Sequence, residues 1–167
     1  MSQNVTLKLL NNAYCPQIVD LILPIQTIEF NVPITLEDQP DLLDIESKYH
    51  QSGGGFWGAF IDENLVGSIA LIAIGHQAGA IRKMFVKKEY RGKAYGIAQQ
   101  LLSILIDYSR GVHIEDLYLG TVDVLKAAQR FYERNGFERI ERLHLPVYFP
   151  LMSADNVFYH LALKNNA

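Results

Sequence analysis

The 167-residue chain has a single cysteine, Cys15, so no internal disulfide can form and an apolar core must hold the fold, as suits a reducing compartment. It has no excess of positive charge: 15 Lys and Arg against 18 Asp and Glu leave a formal net charge of −3. A nucleic-acid backbone would find no basic surface, and nucleic acid is not an expected partner. Long apolar runs are also missing. The longest, Leu65 to Ile74, is broken by Gly67 and Ser68 and falls well short of the roughly 20 residues that cross a bilayer, so no membrane partner is expected. Met1 to Lys8 is polar and alternating, without a charged segment leading into an apolar one, so the expectation is no export signal and a cytoplasmic location. His50, His76, His113, His144 and His160 are scattered, with no close pair and no cysteines at zinc spacing, and no metal is expected. Gly53-Gly54-Gly55 has no Gly-Lys-Ser/Thr after it, and Ser52 and Ser68 lack a nucleophile elbow, which leaves the glycines as a loop.

What is present is the balance of an ordinary globular protein, 49% apolar and 20% charged. The length suits one domain, taken as 1–167. Val5, Leu7 and Leu9 alternate as a first strand, and Pro16 to Phe30 follows with a helical pattern that Pro24 should kink or divide. Asp41 to Tyr49 reads as a short second helix. Phe56 to Ile61, Leu65 to Ile74 and Ala78 to Val86 form a three-stranded meander whose first loop is Asp62-Glu63-Asn64. The period then changes: Ile97, Ala98, Leu101, Leu102, Leu105 and Ile106 line one face of a helix. Leu117 and Leu119 form a short strand, and Leu125 to Asn135 is a helix ended by Asn135-Gly136. Phe137 to Ile140 and Val157 to Leu163 close the sheet. Two strand–helix units in the second half imply some parallel pairing.

Between the meander and the long helix lies Tyr90-Arg91-Gly92-Lys93-Ala94-Tyr95-Gly96-Ile97-Ala98, a small-residue turn running into a helix N-terminus. Such a turn presents unpaired backbone N–H groups and the positive end of the helix dipole, and Arg91 and Lys93 add charge. Glycine lets backbone approach a ligand closely. A phosphate is the ligand this chemistry suits.

The run Arg91-Gly92-Lys93-Ala94-Tyr95-Gly96, with Leu119-Gly120-Thr121 and Leu125-Lys126-Ala127-Ala128-Gln129-Arg130-Phe131-Tyr132-Glu133-Arg134-Asn135-Gly136-Phe137 after it, resembles the GNAT N-acetyltransferase superfamily. That family's coenzyme A signature is Arg/Gln-x-x-Gly-x-Gly/Ala, and its next helix ends in Tyr-Glu-x-x-Gly-Phe. The match covers roughly Ile81 to Phe137. It implies an α/β fold, a mixed central sheet of about six or seven strands flanked by about four helices. It implies acetyl-CoA as co-substrate, held by Met84, Phe85 and Val86 along the pantetheine arm and by Arg91, Gly92, Lys93, Ala94, Tyr95 and Gly96 at the pyrophosphate. Tyr132 is implied as the catalytic residue near the sulfur. The sequence departs from the family pattern at Ala94, for the first glycine of the signature, at Ala80, where many members carry a glutamate base, and at Leu125, where many carry asparagine.

The implied reaction is attack of a neutral amine, from a small molecule or a peptide, on the thioester. A strand N–H would stabilise the developing oxyanion, and Tyr132 would give a proton to the leaving thiolate. The base stays open, with Glu29 and His144 as candidates beside a pocket that lowers the amine's own pKa. Leu145 to Met152, with Pro146 and Pro150, reads as a loop shaping acceptor specificity or a homodimer contact. A non-catalytic acyl-CoA sensor and a transferase for longer acyl groups are the alternatives.

Overall fold

The computed structural model describes residues 4–152 and 154–163. The expected domain limits at 1 and 167, and the first three residues of the amino-terminal segment, lie outside the described residues. Strands β1 (Thr6–Leu9), β2 (Gly55–Ile61), β3 (Asn64–Gly75), β4 (Ala78–Val86), β5 (Asp116–Thr121), β6 (Glu138–Ile140) and β7 (Val157–Ala162) form one sheet in the order β1-β2-β3-β4-β5-β7-β6. All neighbours are antiparallel except β4 and β5. The expected mixed sheet is therefore present, and its parallel pair sits where a helical crossover permits one. Both hairpins of the meander turn on two residues in left-handed conformation, Asp62-Glu63 and His76-Gln77, the backbone twist that suits a tight two-residue hairpin.

The sheet is covered on both faces. On one lie α1 (Cys15–Pro24) and the helical segment from Pro40 to His50, burying Ile18, Ile22, Leu42, Ile45 and Tyr49 against Phe56, Phe60 and Ala70. On the other lie α2 (Ile97–Gly111) and α3 (Lys126–Arg134), with Leu101, Leu102, Leu105 and Tyr132 against Ile69, Leu71, Leu117 and Tyr159. Each fully buried leucine or isoleucine contributes about 1.5–3 kcal/mol of transfer free energy. Gly67 sets how close α2 comes: a Cβ there would lie 2.8 Å from Ile97 Cγ2 and 3.2 Å from Leu101 Cδ1. Among the described residues, no helix is long and apolar enough to cross a membrane.

Two helical segments differ from the periodicity in type. Pro24 ends α geometry without ending the helix. The chain continues as a π turn, Ile25–Glu29, in which Phe30 N donates to Ile25 O at 3.1 Å, a wider winding that follows the missing proline N–H. Asp41 to Tyr49 is split into a 3-10 turn, Pro40–Leu43, and a π turn, Glu46–His50. The cause is Asp44, whose backbone leaves helical geometry (φ −154°, ψ 77°) and whose carboxylate accepts from Ser47 N (3.2 Å), Ser47 Oγ (2.8 Å) and Asn12 Nδ2 (2.9 Å). These local bonds compete with the helix and restart it. The end of α3 follows expectation: Gly136 has φ +88°, Phe137 N donates to Tyr132 O and Gly136 N to Glu133 O, the paired bonds of a glycine-capped terminus.

Candidate active site

The central feature is a strand pair that comes apart. β4 and β5 are in register only from Ala78↔Asp116 to Ile81↔Leu119, so Arg82 to Val86 have no strand partner on the β5 side. A bulge lies at the same point. The β3–β4 register shifts between Ser68 and Ala70, Lys83 takes φ +54°, and Ser68 Oγ donates to the Lys83 carbonyl at 2.6 Å. A lysine in left-handed conformation costs on the order of 1 kcal/mol, and such bulges re-aim side chains at functional sites.

Three cavities run in series along this opening. The innermost, about 120 Å³, is lined by residues including Gln26, Arg82, Lys83, Thr121, Tyr132 and Asp155. The middle one, about 310 Å³, is a largely apolar slot between Met84, Phe85 and Val86 on one wall and Ala127, Ala128 and Phe131 on the other. The outer one, about 450 Å³, is walled by Arg91, Gly92, Lys93, Gly96, Ile97 and Arg134. Tyr132, Leu125, Met84 and Phe85 border both the inner and middle cavities.

The outer end is a glycine-containing turn that runs into α2. Gly92 (φ +107°) and Gly96 (φ +61°) are left-handed. Gly96 N bonds to Gly92 O and Gln100 N to Gly96 O, and among the described residues the N–H groups of 92–95 and 97–99 have no backbone or side-chain acceptor. That leaves seven donors at the N-terminus of a 15-residue helix, the end whose free N–H groups and dipole favour an anion. Ala94 is not among the residues of positive φ, so its methyl group replaces the family's glycine without backbone strain. Tyr95 packs edge-on against Tyr90, with ring centroids 5.4 Å apart.

Arg91 does something its sequence position did not disclose. Its guanidinium forks onto both carboxylate oxygens of Glu29, with Nη2 2.7 Å from Oε1, while Nε donates to Val86 O at 2.8 Å. Its charge is thus largely neutralised, and Lys93 and Arg134 are the cations at this mouth whose charge is not committed to an ion pair among the described residues. The same pair argues against Glu29 as a base: the hydrogen bonds from Arg91 hold its carboxyl below the usual range, and it borders none of the three cavities. His144 is exposed and borders none of the three cavities.

Tyr132 is 5% exposed, packed edge-on against Phe137 (5.5 Å) and Phe131 (5.7 Å) and tilted against Tyr159 (5.9 Å). Among the described residues its hydroxyl has no hydrogen-bond partner, and the side chain borders both the inner and the middle cavity. Burial first, and then the nearby Asp155 and Tyr159, push the phenol well above its ordinary value. Of the other departures, Ala80 is fully buried in the core between Ile72 and Tyr118. Leu125 is the N-cap of α3, gives it no side-chain hydrogen bond, and forms an apolar wall of the cleft.

Asp155 is the residue that sequence reasoning missed. It seats on Gly120, where a Cβ would meet its Oδ2 at 2.6 Å, and borders the inner cavity. Burial pushes its carboxyl up to about 6, against the opposing pull of Arg82 and Lys83. Behind the same cavity runs a buried polar chain. Gln26 and Gln39 exchange hydrogen bonds (3.1 and 2.8 Å), Lys83 Nζ donates to Gln39 Oε1 and lies 3.7 Å from Asp41 Oδ2, and Tyr49 donates to Asp41 at 2.6 Å. Burial lowers the Lys83 ammonium, with Asp41 opposing. The loop before Asp155 is pinned as well: Phe149 is buried against Phe158, Tyr148 stacks on His76 at 4.0 Å, and the Pro150 carbonyl accepts from Arg82. No cluster of metal-ligating side chains occurs among the described residues.

Known proteins share this architecture. A GNAT-family acetyltransferase from Staphylococcus aureus Mu50 superposes with a TM-score of 0.93 at 41% identity, over 96% of this chain and 100% of that one. The PaiA N-acetyltransferase from Thermoplasma acidophilum, solved in complex with coenzyme A, superposes with a TM-score of 0.72 at 18% identity, over 95% and 99% of the two chains, a likeness of fold. N-acetylaspartate synthetase from Xenopus tropicalis is 36% identical over 104 residues, which are 60% of this chain and 37% of that protein. The chain thus spans a little over a third of the length of that curated relative. The profile of the acetyltransferase (GNAT) family matches residues 19–137, a span that holds the splayed strands, the glycine turn before α2 and Tyr132 together, and this chain belongs to that family.

Proposed function

We propose that the protein transfers an acetyl group from acetyl-CoA to a primary amine held in the inner cavity. The observation that carries this reading is the series of three cavities with Tyr132 at a junction: an anion cradle outside, an apolar slot of pantetheine character in the middle, and a small polar chamber inside. The residues fit the co-substrate. The N–H groups of 92–95 and 97–99 would hold its pyrophosphate, with Lys93 and Arg134 adding charge, and the unpartnered edge of Met84, Phe85 and Val86 would bond its amide arm.

Bound there, acetyl-CoA supplies an activated acyl carbon whose leaving group is a thiolate. The protein's part is position and electrostatics. The unpaired β4 edge offers a backbone donor to the carbonyl oxygen. Asp155 stands on the acceptor side, ionised at neutral pH, to take the proton that the nitrogen sheds as it bonds to carbon. Tyr132 faces the thiolate side. Because burial raises its pKa, its support consists of a donated hydrogen bond, with the full proton transferred late.

The test is free-thiol release from acetyl-CoA across a panel of amines. Turnover of at least one amine is expected, and Tyr132→Phe should lower kcat roughly 10- to 100-fold with little change in the KM for acetyl-CoA. Thermal stabilisation by acetyl-CoA with no turnover of any amine would mark a cofactor-binding module instead.

A further inference from the structure

The inner cavity is small, and it is lined by charges of both signs. On the β4 wall stand Arg82 and Lys83, brought to the same chamber as consecutive residues by the bulge. Asp155, seated on Gly120 of the neighbouring β5, lines the same chamber. The ion pairs among the described residues are Lys83–Asp41, Arg91–Glu29 and His160–Asp116. Arg82 and Asp155 line one chamber, influence one another electrostatically, and are not paired. The single side-chain hydrogen bond of Arg82 among those residues goes to the Pro150 carbonyl, which fixes one nitrogen and leaves the rest of the guanidinium fork without an acceptor among them. A half-buried arginine with donors to spare is the side chain best matched to a carboxylate, which it takes through two parallel bonds. Lys83 adds positive field from behind and is itself held by Gln39.

Accepting the transferase reading above, we infer that the acceptor is a small amine that also carries a carboxylate, of the α-amino acid class, with its carboxylate on Arg82 and its nitrogen toward Asp155. The chamber of about 120 Å³ lies below the roughly 300 Å³ at which drug-sized ligands begin to fit, and so matches a group of amino-acid size. A zwitterion cancels both uncommitted charges at once. A diamine would leave Arg82 facing a second cation, and a peptide N-terminus would bring it a neutral amide instead of a carboxylate.

The experiment compares matched acceptors, each α-amino acid against its carboxamide and its decarboxylated amine, by thiol release at saturating acetyl-CoA. The expected result is a kcat/KM at least 10-fold higher for the amino acid. Arg82→Gln should abolish that ratio by raising the amino acid's KM more than the carboxamide's, and Arg82→Lys should restore part of it. Equal or faster turnover of the carboxamides or amines by the unaltered protein overturns the inference while leaving the transferase reading intact. So does an Arg82→Gln protein that loses all acceptors equally, or a normal amino-acid KM in it. If no acceptor turns over, the transferase reading fails, and calorimetry on the coenzyme A complex still decides the acceptor class. Tighter binding of amino acid than of carboxamide supports it, and equal binding overturns it.

Discussion

Asp155 and Gly120 show how much a site can depend on two residues that carry no motif of their own. In the folded protein the Asp155 carboxyl is pushed up to about 6 from 3.8. Between those values the native state holds a proton that the unfolded chain has released. Stability therefore falls as pH rises from about 4 through 6, and above 6 the ionised group costs its full penalty. Asp155→Asn should accordingly stabilise the protein by on the order of 2 kcal/mol at pH 8 and by nothing near pH 4, read from urea unfolding at the two pH values. The same variant should lose the rise in kcat/KM through pH 6 that ionisation of Asp155 contributes. An unchanged limb would remove Asp155 from the chemistry. Gly120→Ala approaches the same group from beneath: its methyl would meet Oδ2 at 2.6 Å and Phe158 Cε1 at 3.0 Å, so Asp155 must move. A drop in kcat of about 10-fold or more, with the KM for acetyl-CoA unchanged, is expected, since small displacements of a positioned group are costly. Tyr132 was legible in the sequence because its helix carries a recognisable ending. Asp155 was not, because nothing local to Ala154-Asp155-Asn156 records that the chain folds it onto a distant glycine.

At the scale of elements, the α2 N-terminus is useful only if the helix is pressed onto the sheet at the right height. Gly67 permits this, and a larger residue there would push Ile97 and Leu101 outward. Gly67→Val should cost about 1–3 kcal/mol by overpacking. Because Ile97 is the first residue of α2, it should also weaken coenzyme A binding more than Arg91→Gln does, the charge of Arg91 being already spent on Glu29. Calorimetric affinities of the two variants check the order. The apolar stripe of α2 made this helix plain from its sequence. The helical character of Asp41 to Tyr49 was legible too, but its division was not, because the bond from Asn12 to Asp44 joins segments far apart in the chain. The π turn after Pro24 was half legible: proline announces a break in winding, but what continues the helix is tertiary packing, with Ile25 buried beneath it.

For the molecule as a whole, the order of elements could be read from periodicity and the splay of β4 from β5 could not, because an absent pairing leaves no mark on either strand. That opening divides the sheet into a meander, β1 to β4, and a second part, β5 to β7, which are hydrogen-bonded as strands only over the four residue pairs from Ala78↔Asp116 to Ile81↔Leu119. A ligand bound along β4 and against α3 would bridge the two parts where the sheet does not. Acetyl-CoA at about 100 times its Kd adds roughly 2.7 kcal/mol to stability by linkage, which for a chain of this size raises Tm by about 5–10 °C. Linkage alone would follow from binding anywhere, so the location has to be read separately. Amide exchange in the presence of coenzyme A should slow at Arg82 to Val86, at 92–95 and in the first turn of α2, while β1 and the Pro40–His50 segment keep their rates. A Tm rise with no protection along β4 would place the ligand elsewhere and remove the splayed edge from the binding account.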